Sequence, residues 1–164
     1  TFPEGAKVLY FTGAPNDQQY IDRKEGLEDA LAENSAIEIL DEYNVENSKD
    51  LGMSTAEDCL LSYDDIDAIV CQSDDAALGV VEALKAAGRL DEIKVLGVDG
   101  NDEALASIKA GEMAMTALQD ARAQAQAGAD IFEQLKNGTE PKDIEDVYIP
   151  FQKVTADNVE EYME

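Results

Sequence analysis

Arg23, Asp99 and Gln119 are the side chains of this sequence best suited to holding a small polar molecule. Asp99 and Gln119 offer acceptors, Gln119 adds donors, and Arg23 brings a planar fork of five. A polyhydroxylated ligand such as a sugar needs this mixture, because each hydroxyl both donates and accepts. A carboxylate that accepts from two neighbouring hydroxyls makes strong, charge-assisted bonds. Each residue also has a plainer reading. Asp99-Gly100 alone is a turn, Asp74 alone is a helix N-cap, and Arg23 alone is a solvated surface charge.

Catalytic templates fit badly. The chain has no histidine, which removes the commonest general base and zinc ligand. There is no glycine-rich phosphate loop with its lysine, and Gly13-Ala14-Pro15-Asn16 is no dinucleotide fingerprint. Asp74 and Asp99 could pair as acid and base, but nothing supplies a nucleophile or a metal. No enzyme activity and no cofactor are expected.

The elements that must position these residues alternate along the chain. Val8-Leu9-Tyr10-Phe11 is an apolar run closed by Gly13 and Pro15, as in a buried parallel strand. A helix over 18–33 follows, with Tyr20, Leu27, Ala30 and Leu31 as its apolar stripe. Further strands are expected at 37–40, 68–71, 95–98 and 113–118, with an extended return at 147–150. Ser54 is the expected cap of a helix carrying Ala56, Leu60 and Leu61. A helix over 74–87 puts Ala77, Val80, Val81 and Leu84 on one face and stops at Gly88. Leu105 and Ile108 mark another helix, residues 121–136 a long one, and Thr155 the cap of a terminal one. Such alternation means βαβ units: an α/β fold, a parallel sheet with helices on both faces. Ligands of such sheets sit beyond the carboxyl ends of the strands. That singles out residues 13–23, Gln72-Ser73-Asp74, Asp99-Gly100-Asn101 and Gln119-Asp120.

Charge narrows the partners. Among 164 residues, 37 are acidic and 12 basic, a formal net charge of -25. That sign argues against nucleic acid and against an anionic membrane surface. The acid is spread along the chain, so solvated helix faces are expected rather than a metal site. Cys59 and Cys71 are too few for zinc; buried free thiols are expected, with a disulfide as the alternative. No apolar run reaches membrane-spanning length, so no direct membrane insertion is expected.

The order of segments carries a resemblance. Lys7-Val8-Leu9-Tyr10-Phe11-Thr12-Gly13-Ala14-Pro15, followed by Asp22-Arg23-Lys24-Glu25-Gly26-Leu27, resembles the sugar-binding periplasmic proteins of ABC transporters. So do Asp67-Ala68-Ile69-Val70-Cys71-Gln72-Ser73-Asp74, Val95-Leu96-Gly97-Val98-Asp99-Gly100 and Thr116-Ala117-Leu118-Gln119-Asp120. The close, Val154-Thr155-Ala156-Asp157-Asn158-Val159, is similar to the end of the galactose- and ribose-type members.

The resemblance implies one lobe of a two-lobe type I periplasmic binding protein. It implies that Arg23, Asp99 and Gln119 hydrogen-bond a monosaccharide, with Asp74 beside them. Ser73 stands where the family usually has asparagine, so a single hydroxyl replaces a bidentate amide. Asp17 and Gln19 lie where galactose-type members place further polar contacts. The family's stacking aromatic falls near Asn47, where this chain has none.

It also implies a division into residues 1–119, a carboxyl-terminal sugar-binding lobe lacking its first helix; 120–146, a crossover and a helix that would pack on an amino-terminal lobe; and 147–164, a return strand and terminal helix. Such a lobe would serve an extracytoplasmic receptor that feeds an ABC permease. The alternative is the ligand-sensing domain of a sugar-responsive transcriptional repressor. The chain is expected to be about half a receptor and to start inside the carboxyl-terminal lobe. Its long helix would then expose Ala121, Ala125, Gly128, Phe132 and Leu135. The chain is accordingly expected to self-associate as a homodimer, or to fold that helix onto its own sheet.

Overall fold

The computed structural model describes residues 5–33 and 36–163. Among them β1 (Ala6–Thr12), α1 (Gln18–Glu33), β2 (Ile37–Asn44), α2 (Lys49–Ser62), β3 (Ala68–Cys71) and α3 (Asp74–Ala87) alternate. They are followed by β4 (Lys94–Asp99), α4 (Asp102–Lys109), β5 (Met115–Leu118), α5 (Ala121–Lys136) and β6 (Gln152–Thr155). The six strands form one sheet in the order β2-β1-β3-β4-β5-β6. Every pairing is parallel except β5 with β6, which is antiparallel. The parallel α/β reading therefore holds, with one antiparallel edge added.

The core lies mainly on one face of the sheet. Leu9 and Phe11 of β1, Ile69 and Cys71 of β3 and Val95 of β4 point there, against α2, α3 and α4. Burial of Val80, Val81 and Leu84 of α3 contributes roughly 1.5–3 kcal/mol per side chain. Small residues bring α2 and α3 into backbone contact: a Cβ on Gly79 would lie 2.0 Å from the Lys49 carbonyl oxygen. Both cysteines are buried free thiols, as expected.

The opposite face is thinly covered. Ala6, Val8 and Ala68 are buried there, while Val70 and Leu96 are only partly so. Over it runs α1, which buries no residue, so its expected apolar stripe is only half-covered.

Local corrections have physical causes. The cap of α2 is Ser48, whose hydroxyl accepts from Leu51 N, and not Ser54, which lies within the helix and donates to the Leu51 carbonyl. Ser54 with Glu57 mimics a capping box, but Lys49 and Asp50 extend the helix by a turn. Leu61 is 89% exposed and packs no core. The return strand is Gln152–Thr155 rather than 147–150; Val147 and Tyr148 are exposed, and Pro150 has no N–H for a ladder. Thr155 ends that strand instead of capping a helix, its N–H held by Asn158 Oδ1 at 2.8 Å. The long helix α5 buries no residue and leaves Phe132 69% exposed. It is not folded onto its own sheet, so that version of the expectation fails.

Candidate functional site

Strand order reverses between β1 and β3, and in open α/β sheets the crevice beyond the strand ends opens at such a point. Here it is closed at its base by Gln72, whose Oε1 accepts from Gly13 N at 3.0 Å. Arg23, two turns into α1, reaches over the same point. One of its terminal nitrogens donates to the Gln72 carbonyl and the other pairs with Asp99 Oδ1 at 3.1 Å.

Asp99 is the last residue of β4 and has φ 124°, a conformation that L residues adopt at a cost of about 1–3 kcal/mol. Gly100 follows at φ 79°. The turn is held from beneath by Asp74. Its Oδ2 accepts from Gly100 N at 2.7 Å and Asn101 N at 3.0 Å, and its Oδ1 accepts from the Thr116 hydroxyl at 2.7 Å. One carboxylate thus ties the ends of β3, β4 and β5 together. Burial pushes the Asp74 carboxyl above the usual range, against those three hydrogen bonds. Burial also raises the Asp99 carboxyl, helped by Asp75 and opposed by the Arg23 guanidinium.

Gln119 follows β5 and donates its backbone N–H to the Asp99 carbonyl at 2.9 Å. With Gln19, Asp22, Arg23 and Phe151 it lines an open cavity of about 340 Å³. A second cavity of about 210 Å³ shares Arg23 and Phe151 and runs between α1 and the thinly covered sheet face. Tyr10, Leu27, Val70, Val98 and Ala117 make it largely apolar.

Of the residues expected at the site, the fold brings Arg23, Asp99, Gln119 and Gln19 together. Ser73 is 5% exposed and caps α3, its hydroxyl accepting from Ala76 N at 3.3 Å. Asp74 is fully buried below the turn with both oxygens engaged, which leaves it no free oxygen for acid–base work on a ligand. Asp17 is exposed at the start of α1, where its carbonyl accepts from Ile21 N. Asn47 sits beyond β2 at φ 54°, packed against Gly13, and its Oδ1 is buried without a hydrogen-bond partner.

Sequence reasoning missed Tyr10 and Phe151, and gave Gln72 a place at a strand end but no role. Gln72 was legible only as a polar residue at a strand end, and Tyr10 reads as one more apolar strand residue. Phe151, an aromatic just before the return strand, was the available signal for a stacking surface.

Known proteins share this fold. Residues 1–140 match a family described as periplasmic binding protein domain. A xylitol-binding protein of Mycolicibacterium smegmatis is 30% identical over 93% of this chain and 43% of its own length. An ABC transporter solute-binding protein of Bacillus halodurans, solved with bound myo-inositol, superposes with TM-score 0.88 at 33% identity. That match covers 97% of this chain and 54% of the other. A Caulobacter myo-inositol binding protein, bound to myo-inositol, gives TM-score 0.87 at 32% identity over 98% and 55%. The chain spans about half the length of the relatives it matches.

Proposed function

This chain belongs to the periplasmic binding protein domain family, and we propose that it forms one lobe of a solute receptor, holding a monosaccharide or cyclic polyol at the strand ends. The observation that carries this is Arg23, paired with Asp99, lining a cavity together with Gln19, Gln119 and Phe151. A fixed fork of donors, a half-exposed carboxylate, two amides and an aromatic edge match the alternating donors, acceptors and C–H faces of a sugar ring. The ligands of relatives, myo-inositol and xylitol, are polyols of this chemistry.

In this reading Arg23, Asp99, Gln119 and Gln19 bind the ligand directly. Asp17 and Asn47 add contacts at the rim, and the Ser73 hydroxyl contributes its free donor. Asp74 acts from below, by fixing the backbone that presents Asp99. Binding, with no chemical step, is the whole activity of the lobe. Receptors of this type close by a hinge around their ligand. We infer that the complete protein works outside the cytoplasm and hands its ligand to an ABC permease. Residues 1–119 would be the ligand lobe, 120–146 a crossover whose helix packs on a second lobe, and 147–164 the return.

The test is a titration of ¹⁵N-labelled chain with myo-inositol, xylitol and ribose at tens of millimolar. Perturbation confined to Arg23, Asp99, Gln119 and their neighbours is expected for at least one of them. Spectra unmoved there by all three would overturn the assignment.

A further inference from the structure

We propose that Gln72 is the positioning residue of this site, seating the guanidinium of Arg23 against Asp99. Its bearing on sugar recognition rests on the receptor reading above; the seating itself does not need a sugar. Gln72 is 2% exposed and every one of its polar groups is engaged. Its backbone N–H donates to the Phe11 carbonyl at 2.8 Å, and its carbonyl accepts from Arg23. Its side-chain oxygen accepts from Gly13 N at 3.0 Å. Its amide nitrogen donates to the Tyr10 hydroxyl at 2.6 Å and to the Tyr20 carbonyl at 3.2 Å. One buried residue thus joins β1, the loop after it, the first turn of α1 and the arginine.

The connection matters because polar ties, and not apolar packing, hold α1 to the sheet. It buries no residue, so apolar packing does not fix its position. Its outer flank is tied to β2 by Lys24 Nζ to Glu42 Oε2 at 2.6 Å and by the Tyr20 hydroxyl to Glu42 Oε1 at 2.8 Å. Its inner flank is tied by Gln72. Tyr20 lies one turn before Arg23, so holding the Tyr20 carbonyl holds the turn from which the guanidinium extends. Only an amide can accept from an N–H and donate twice from the same side chain. A glutamate would face the Tyr20 carbonyl with no proton to give, and a leucine would leave Gly13 N unpaired.

Asp99 reports on the seating, because the Arg23 guanidinium pairs with it and holds its pKa down against burial and the Asp75 charge, alongside the backbone N–H of Asp74. The experiment is a ¹³C carboxyl titration of Asp99 in the native chain and in Gln72→Leu, Arg23→Ala and Ser48→Ala. The Asp99 midpoint in Gln72→Leu is expected to rise toward its value in Arg23→Ala. Ser48→Ala, which loosens the cap of α2 without touching Arg23 or Asp99, is expected to leave it in place. Should the leucine chain not fold, Tyr10→Phe removes one partner of the Gln72 amide, and a smaller rise in the same direction is expected. An Asp99 midpoint that stays at its native value in a cooperatively folded Gln72→Leu, or in Tyr10→Phe as its substitute, overturns the proposal. If the midpoint moves while no polyol perturbs Arg23 in the native chain, the seating stands and the receptor reading falls.

Discussion

At the residue scale, Asp74 and Asp99 are two carboxylates divided by burial into different roles. Asp74 is fully buried and holds the turn, while Asp99 is strained into the cleft. Asp74→Ala strands two backbone N–H groups and the Thr116 hydroxyl, and should cost about 3 kcal/mol or more. Asp74→Asn keeps an acceptor for the turn and can donate to Thr116, so urea melts should show a clearly smaller loss. For Asp99 the sign follows from its raised folded pKa. The folded carboxyl keeps its proton to higher pH than the unfolded one, whose ordinary value is 3.8. Its contribution to stability is therefore full below that pH and declines as pH rises through the folded pKa. Asp99→Asn removes the decline. The stability of native relative to variant chain, from urea melts at stepped pH, should fall as pH rises above 3.8. A native chain that instead gains on the variant across that window would contradict the assignment.

At the scale of elements, the helices on the two faces of the sheet are held by different physics. The α2–α3 pair relies on backbone contact at Gly79 and Gly52, whereas α1 relies on polar ties. The two cases predict opposite signs for the same substitution. Gly79→Ala would press a methyl into the Lys49 carbonyl and should destabilise by roughly 1–3 kcal/mol. At Gly26 in α1 an added Cβ meets nothing within 4 Å. Gly26→Ala should stabilise by about 0.5–1 kcal/mol through helix propensity alone. Thermal or urea melts of the two variants decide this, and a loss of stability at Gly26 would mean that α1 is packed more tightly than its exposure indicates.

At the scale of the whole molecule, the proposed receptor reading means that one lobe supplies only part of a ligand's hydrogen bonds. Each is worth roughly 0.5–1.5 kcal/mol net, against several kcal/mol of lost ligand freedom. Calorimetry on this chain alone should therefore register no micromolar affinity for a monosaccharide or polyol. The exposed face of α5 and the thin side of the sheet leave apolar surface on the same molecule. We expect a two-fold dimer in which α5 of one copy covers the bare sheet of its partner. Light scattering at micromolar concentration should give twice the monomer mass, and Phe132→Ser should restore the monomer. A monodisperse monomer in the native chain would rule the dimer out.

The alternation of apolar runs with helical stripes determined the α/β class and the strand ends, because burial between layers forces those periodicities on any such chain. It also determined that Arg23, Asp99 and Gln119 follow strands, and hence that they share an edge. Tertiary structure alone decided what each does there. The sequence presents Asp74 and Asp99 as equivalent strand-end acids, yet only burial beneath the Gly100 turn separates the anchor from the half-exposed partner of Arg23. Ser48 and Ser54 are equally good caps by type, and the packing of α2 on α3 chose between them. Gln72 looks like any polar residue after a strand, since its five partners lie 49 to 62 positions away along the chain. Contacts of that span leave no local pattern, because folding and not spacing brings their atoms within reach.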